Sequence, residues 1–283
     1  MKLLQNLAGL FRRQSRDWES LLQTLKSSPD ARRRWEAAEA LAGSPPTPEI
    51  VSVLIESLGD PHPFVRWKAG EALLSIGGKE VSHRLLELLG RRDTNLRAEV
   101  AQLLGKLRSL EALAGLSKAL SSKSELVRWS AAEALLNIGT KEAVENLKKA
   151  IDDPAWGVRR AVALALGKGF IPRDEALPLL AELAKDPHPA VRSAAAKAMG
   201  KLRTPEAEPL LLPLLNDPHP QVRAEAALAL GWVGKENAIA HLRSLLGDYE
   251  TVFGETIASK ARQAIRLIKR RKLLEALLNL RPW

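Results

Sequence analysis

Three tryptophans directly follow an arginine and stand four residues before a glutamate, a spacing that could bind a ligand. Residues i and i+4 share one face of a helix, so each pair would present an indole ring beside a carboxylate. An indole face attracts apolar groups and cations, and the carboxylate adds attraction for a cation. The pairs are Trp35 with Glu39, Trp67 with Glu71, and Trp129 with Glu133. We therefore predict a groove that holds an apolar or cationic ligand.

The same helix positions extend the predicted groove to Leu74, Leu136 and Arg160. Exposed tryptophan has two interpretations that the sequence leaves open. It could anchor a partner, since tryptophan is enriched in binding hot spots. Alternatively, it could lie flat across a neighbouring helix and fill the space there. The spacing also predicts that corresponding small residues are exposed, namely Ala98, Gly105, Gly167, Ser193, Gly200, Ala224 and Gly231.

Four aspartates each precede an arginine by six residues. The pairs are Asp60 with Arg66, Asp153 with Arg159, Asp186 with Arg192, and Asp217 with Arg223. A carboxylate could serve in acid–base catalysis, but a catalytic group is not usually copied in four segments. Charge-assisted hydrogen bonds at a loop–helix junction are the favoured interpretation. Arg91 and Ser122 stand where two further aspartates would fall, so we expect looser packing there.

Other residues that could perform chemistry give no coherent site. The chain has no cysteine, which excludes thiolate metal ligands and a cysteine nucleophile. Histidines recur in Asp-Pro-His-Pro loops, but stacked helices about 8–10 Å apart cannot bring two imidazoles to one zinc ion. No glycine-rich nucleotide loop is present. We predict no metal, no cofactor and a non-enzymatic function.

A repeat of about 31 residues underlies all these side chains. Residues 65–73 read VRWKAGEAL, residues 127–135 read VRWSAAEAL, and residues 33–41 read RRWEAAEAL. Each unit predicts two helices, as in residues 48–58 and 63–76. Thr47 is a predicted N-cap, and Gly77 and Gly78 end the second helix. A sustained period of this length indicates a stacked helical array.

The phrase Val-Arg-x-x-Ala-x-x-Ala-Leu, with Asp-Pro before it, resembles the HEAT-repeat family. It is most similar to the short bacterial and archaeal branch first described from phycobilisome lyases, and the resemblance covers roughly residues 17–247. It implies an all-α fold, a right-handed α-solenoid of about seven to eight stacked helix pairs. It also implies that the second helices line the concave surface and that aspartate and arginine form a ladder between successive repeats.

The domain organisation follows from this repeat. Residues 17–247 form the predicted repeat array. Residues 1–16 are predicted to form an amphipathic basic capping helix, and residues 248–283 a basic capping helix pair. We expect a cytoplasmic protein, because no apolar run is long enough to span a bilayer and the N-terminus lacks the features of a signal peptide.

The net charge of +10 is concentrated at the two ends of the chain. Lysines and arginines balance the acids over residues 36–240, which argues against a groove that follows a nucleic-acid backbone. The best candidate for a basic contact is the run Lys269, Arg270, Arg271 and Lys272. Both end segments could simply cap the array, or they could bind nucleic acid, an acidic protein or an anionic membrane surface.

Three functions remain open from the sequence. The favoured one is a scaffold that binds a protein partner in its groove. A second is a subunit or chaperone similar to the E/F-type phycobilin lyases, whose grooves would suit a tetrapyrrole. A third is nucleic-acid binding, by resemblance to HEAT-like alkylpurine glycosylases. The fold alone does not choose among them.

Overall fold

The computed structural model describes residues 18–279, with side chains through residue 278. The predicted N-terminal capping helix over residues 1–16 lies outside the described residues. The described chain falls into two compact units, which divide after Ile138. Both units consist of helix pairs, in agreement with the predicted all-α fold. No helix in residues 18–279 is both long and apolar enough to cross a membrane.

The first unit contains four helix pairs. Its first helices are α1 (residues 18–27), α3 (Pro48–Ser57), α5 (Gly78–Leu89) and α7 (Leu113–Ala119). Its second helices are α2 (Ala31–Leu41), α4 (Pro63–Ile76), α6 (Thr94–Lys106) and α8 (Glu125–Ile138). A short 3-10 turn, Leu110–Ala112, precedes α7.

The second unit repeats this arrangement with shorter first helices. The first helices are α9 (Lys141–Lys148), α11 (Arg173–Leu183), α13 (Glu208–Leu211) and α15 (Ala238–Arg243), and 3-10 turns flank α13 and follow α15. The second helices are α10 (Trp156–Leu166), α12 (Pro189–Leu202), α14 (Pro220–Val233) and α16 (Ile257–Asn279).

Local signals explain where these helices begin and end. The Thr47 hydroxyl accepts a hydrogen bond from the backbone N–H of Ile50 and caps α3. Pro63 is the first residue of α4, a position where a missing N–H loses no hydrogen bond. Gly77 ends α4 at φ 61°, a left-handed conformation that glycine adopts without strain. Each of these signals lies where the sequence predicts it.

Glycine and alanine bring neighbouring second helices into close contact. A β-carbon built on Gly105 of α6 would lie 2.5 Å from the Cα of Ala134 on α8. The same close approach recurs in the second unit, where it joins Gly167 to Ala198, Gly200 to Ala229, and Gly231 to Ala264. Only a residue without a side chain fits at such a crossing.

The predicted exposure of the small residues is therefore wrong. All of them are buried, because the next second helix lies directly on top of them: Ala98, Gly105, Gly167, Ser193, Gly200, Ala224 and Gly231. The helical spacing identifies the face on which these residues lie. It does not show that another helix covers that face.

The contact between α4 and α6 differs from these close crossings. Leu74 occupies the place that Gly105 holds one repeat later, and Leu103 occupies the place of Ala134. Two leucines require more space than a glycine and an alanine, and contact between α4 and α6 is sparse compared with that between α6 and α8. The predicted looser packing is thus found where α4 meets α6, but not where α6 meets α8.

The C-terminal segment differs from the predicted helix pair. Thr251–Val252 and Glu255–Thr256 form a small antiparallel ribbon, and one helix, α16, follows it. The turn of the ribbon contains Phe253 at φ 52° and Gly254 at φ 81°. The sequence shows no strand alternation here because each strand is only two residues long. Ala258, Ala261 and Ala264 of α16 are buried, so its first half completes the core of the second unit.

Candidate functional site

An aromatic trio lies on the second helices of the first unit. Trp35 of α2 meets Phe64 of α4 edge to face, with 5.2 Å between the ring centres, and Phe64 meets Trp67 at 4.9 Å. Trp67 remains 48% exposed and Phe64 40% exposed. These contacts hold the rings in fixed positions while leaving much of their surface open to solvent. Trp35 is half-buried against the neighbouring helix, and the anchoring of a partner by the tryptophans stays a prediction.

A lysine lies between the two predicted glutamates. The Lys68 ammonium lies 2.7 Å from Glu39 and 3.2 Å from Glu71, and 4.5 Å from the ring centre of Trp67. The hydrogen bond that Lys68 donates to the Glu39 carboxylate raises the pKa of Lys68 above its usual range; burial opposes this shift and Glu71 adds to it. A tryptophan ring and two carboxylates thus surround a lysine of the same chain.

An open cleft of about 400 Å³ adjoins this cluster. Its lining is formed by Glu39, Ala42, Lys68, Glu71, Ala72, Leu74 and Ser75. Leu74 thus has two roles, since it separates α4 from α6 and contributes apolar surface to the cleft. The Trp67 ring and the two carboxylates border the same helix face, so an apolar pocket lies beside a ring and an acidic rim.

The remaining predicted groove residues lie apart from the trio. Trp129 of α8 is 42% exposed, and no ring of the trio contacts it in the described part of the chain. Glu133 and Leu136 are half-buried on the same helix. Arg160 is half-buried on α10 of the second unit. The structure thus brings together the predicted residues of α2 and α4.

Sequence reasoning missed Phe64 and Lys68. Phe64 follows the helix-starting Pro63 and lies outside the repeated phrase, so the repeat alignment gives no reason to single it out. Lys68 stands three residues before Glu71, a spacing that places oppositely charged side chains together on a helix. That signal was available, and it predicts the ion pair with Glu71.

Arginine and aspartate form ion pairs between successive repeats. Arg159 donates from Nε and Nη2 to the Asp186 carboxylate, at 2.6 and 2.9 Å. Its Nη1 donates to the carbonyls of Asp153 and Pro154. The aspartate six residues before Arg159 therefore contributes its backbone carbonyl. The carboxylate that pairs with Arg159 is that of the aspartate in the next repeat. Such ion pairs include Arg34 with Asp60, Arg159 with Asp186, Arg192 with Asp217, and Arg223 with Asp248.

These ion pairs shift the aspartate pKa values downward. Burial alone would raise the pKa of Asp186, but hydrogen bonds from Arg159 and from the backbone N–H of His188 outweigh it and lower the pKa. The same causes lower the pKa of Asp60 and of Asp217. The ionised form of each carboxylate is therefore the form that stabilises the fold.

We expect the free energy of unfolding to decrease in acid. A carboxyl group whose folded pKa is depressed stabilises the protein above its unfolded pKa, about 3.9 for aspartate, and loses this contribution as pH falls through the folded value. The thermal midpoint should therefore decline steadily below about pH 4. Melting curves across this range check the prediction, and a flat midpoint would show that the ion pairs contribute nothing to stability.

Two arginines of the first unit lack such a carboxylate. Arg66 donates from Nη1 to the carbonyls of Asp60 and Pro61, but no aspartate lies in the next repeat, where Arg91 takes its place. Arg97 donates from Nε to the Leu89 carbonyl, and Ser122 takes the aspartate position after it. The ladder is thus interrupted within the described part of the first unit.

The histidines of the Asp-Pro-His-Pro loops have structural roles. The Nδ1 atoms of His62 and His188 accept hydrogen bonds from the backbone N–H groups of Phe64 and Ala190, and so cap α4 and α12. Residues 18–279 contain no group of three or more potential metal ligands.

The predicted basic patch on α16 is divided by its contacts. Arg271 donates to the carbonyls of Trp232 and Gly234 at the end of α14, and Lys272 pairs with Glu236. Lys269 and Arg270 are exposed. Arg271 and Lys272 thus attach α16 to the end of α14 and the residues after it, whereas Lys269 and Arg270 face solvent.

Comparisons with known proteins agree with this architecture. A family model described as HEAT repeats matches residues 18–93, 82–167, 145–212 and 176–266. No curated protein matches the sequence. Solved structures with a similar fold include YibA of Escherichia coli, with 21% identity over 90% of this chain and 92% of that one and a TM-score of 0.60.

Two further structures show similar coverage. An engineered protein is 23% identical over 93% of this chain and 81% of its own, with a TM-score of 0.50. The CpcE–CpcF complex of a Nostoc phycocyanin lyase is 20% identical over 89% and 94%, with a TM-score of 0.45. At these identities the likeness concerns the fold alone. The family match over nearly the whole described chain is decisive, and the protein belongs to the HEAT-repeat family.

Proposed function

We propose that the protein is a scaffold that binds another protein through the second helices of its first unit. The observation that carries this proposal is the exposed aromatic trio with its acidic rim. Trp67 and Phe64 are large, rigid rings with roughly half of their surface in water. Exposed aromatic groups that are held in place are favoured as anchors at protein interfaces, because little side-chain freedom is lost on binding.

The chemistry of the site indicates the kind of partner. The cleft beside Leu74 has room for an apolar side chain, and the exposed Trp67 ring, which does not line this cleft, offers a second apolar surface on the same helix. Glu39 and Glu71 are about half exposed, and their charges exceed that of the single Lys68 by one. A segment that carries an apolar anchor next to a lysine or arginine matches this surface in both shape and charge.

The distribution of charge favours a protein over a nucleic acid at this site. A surface that follows a phosphate backbone requires a row of unpaired lysines and arginines. At the trio, the cation is already neutralised by two carboxylates, and Arg34 nearby is paired with Asp60.

The first test replaces Trp67 with alanine and measures recovery of partner from nuclease-treated native lysate. We expect recovery to fall by about tenfold or more, because truncating an interface tryptophan typically removes about 2 kcal/mol or more of binding free energy. The matched control is Leu110→Ala, which removes an exposed apolar side chain elsewhere in the same unit.

Two results would contradict the proposal. One is equal recovery by Trp67→Ala and wild type, which would remove the trio from the interface. The other is recovery that depends on intact nucleic acid, which would make nucleic acid the ligand. A crosslinkable residue placed at Leu74 should label the same partner, while one placed at Leu110 should not.

A further inference from the structure

The Arg66 side chain is prepared for a carboxylate that the fold does not supply. In four other repeats, the arginine Nη1 is fixed by two backbone carbonyls while Nε and Nη2 face the next repeat. The Nη1 of Arg66 has the same two contacts, at 2.9 and 3.2 Å. Its guanidinium is therefore oriented like the others, and its other donors face the second-to-third repeat junction.

No acceptor of the described chain occupies the open side of Arg66. Arg91 holds the place of the missing aspartate. Asp93 is close in sequence, and its carboxylate accepts the backbone N–H groups of Asn95 and Leu96 at the start of α6 but no hydrogen bond from Arg66. Burial raises the pKa of the Glu99 carboxyl and the charge of Arg66 opposes this rise, but no hydrogen bond joins the two side chains.

Two exposed arginines, Arg91 and Arg92, follow the second-to-third repeat junction. They line a cleft of about 490 Å³ that does not include Arg66, and its other charged residues are Arg84, Glu56, Glu87 and Asp93. At the corresponding junction of the second unit, the cleft of about 430 Å³ is lined by Arg159 and Asp186, which are paired to each other. The first unit thus has an arginine where the second unit has the paired carboxylate.

We propose that Arg66, at the junction where Arg91 takes the place of the aspartate, forms a binding site for a carboxylate or a similar oxyanion from outside the chain. The guanidinium would donate from Nε and Nη2 to two oxygens, the geometry that Arg159 and Arg192 have with their aspartates. This site lies at the loop edge, and it does not depend on the aromatic trio. The oxyanion could belong to an acidic segment of a protein or be a small free anion.

The test follows the arginine Nε–H signals of the full-length protein by NMR. The Arg66→Lys variant assigns the Arg66 signal by its loss. Sodium acetate, sodium phosphate and an oligoglutamate peptide are titrated separately at constant ionic strength. We expect the Arg66 signal to move and to saturate. The signals of Arg159 and Arg192 should stay in place, because their carboxylates are already present.

The source of the oxyanion is read from the same titrations. Saturation by oligoglutamate at a far lower concentration than acetate indicates an acidic protein segment. Similar concentrations of acetate and phosphate indicate a small free anion. The proposal is overturned if the Arg66 signal moves with none of the three probes, or if it moves no more than that of Arg159.

Arg91→Asp provides a second, independent variant. It returns the aspartate of the other repeats to this junction, so the internal carboxylate should occupy Arg66 and abolish its response to all three probes. The thermal midpoint should also rise, by about 2–4 °C, if the restored ion pair stabilises the unit as the others do. A response to the probes that persists unchanged in Arg91→Asp would contradict the assignment.

Discussion

Replacing Gly105 with alanine is expected to destabilise the first unit by about 1–3 kcal/mol, although alanine is the better helix former by about 1 kcal/mol. The added methyl group would lie 2.5 Å from the Cα and 2.7 Å from the Cβ of Ala134. These are backbone and near-backbone atoms, so no rotation of a side chain can relieve the overlap. Instead, α6 and α8 must separate, which opens the packing along both helices.

The matched control for Gly105→Ala is Gly70→Ala. Gly70 lies in α4, and a β-carbon there would meet the Leu103 side chain at 3.4 Å, an ordinary contact. We expect this variant to be neutral or more stable than wild type, by up to about 1 kcal/mol. Urea unfolding of both variants measures the difference. If Gly105→Ala unfolds at the same or a higher urea concentration than Gly70→Ala, the close helix crossing is not the reason that position 105 is a glycine.

Asp186→Ala should destabilise the second unit by about 2–3 kcal/mol. The Asp186 carboxylate is buried and accepts two hydrogen bonds from Arg159 and one from the backbone N–H of His188. Alanine leaves the Arg159 guanidinium half-buried without its counter-charge. The loss therefore combines the ion pair, the loop hydrogen bond and the contact between two repeats.

The control for this substitution is Asp152→Ala, which changes the net charge equally. Asp152 is exposed, and no described residue pairs with it, so its removal should change the stability by less than about 0.5 kcal/mol. The midpoint of urea unfolding is the measurement for both variants. Equal midpoints would show that the ladder positions the loops without stabilising them. At a pH low enough to protonate Asp186, the difference between the variants should shrink.

The sequence is sufficient to predict the helices and their limits. Proline at the start of α4, threonine before α3 and glycine after α4 act through local backbone chemistry, so their consequences do not depend on the rest of the fold. The period of about 31 residues then identifies the family, because only a stack of similar units explains it. The small ribbon before α16 escapes prediction because two-residue strands have no measurable alternation.

Contacts between repeats are harder to infer from the sequence. Asp186 stands six residues before Arg192 in the sequence, yet Arg192 pairs with the carboxylate of Asp217 in the next repeat. Because the repeat length is nearly constant, spacing alone cannot tell whether an arginine pairs with the aspartate of its own repeat or with that of the next one. The buried glycines illustrate the same difficulty, since a helix has two apolar sides when it is packed between two neighbours. Periodicity identifies one of these sides and misses the other.

The candidate site was predicted in part. Trp35, Trp67, Glu39 and Glu71 do converge, because the repeat places them at equivalent positions on adjacent second helices. Trp129 has the same sequence context but lies two repeats further along, which separates it from the trio. Phe64 and Lys68 complete the cluster through contacts between side chains, which depend on the packing of α2 against α4.

The recurring glycine–alanine crossing makes the number of repeats in the second unit adjustable. Residues 186–189 and 217–220 both read DPHP. If residues 187–217 are removed, Asp186 is joined to Pro218, Gly167 faces Ala229, and Arg159 keeps Asp186. The new junction thus has a glycine–alanine crossing and an arginine–aspartate pair of the same kind as the junctions that it replaces. The first unit lacks this freedom, because Leu74 and Gly105 make its junctions unlike one another.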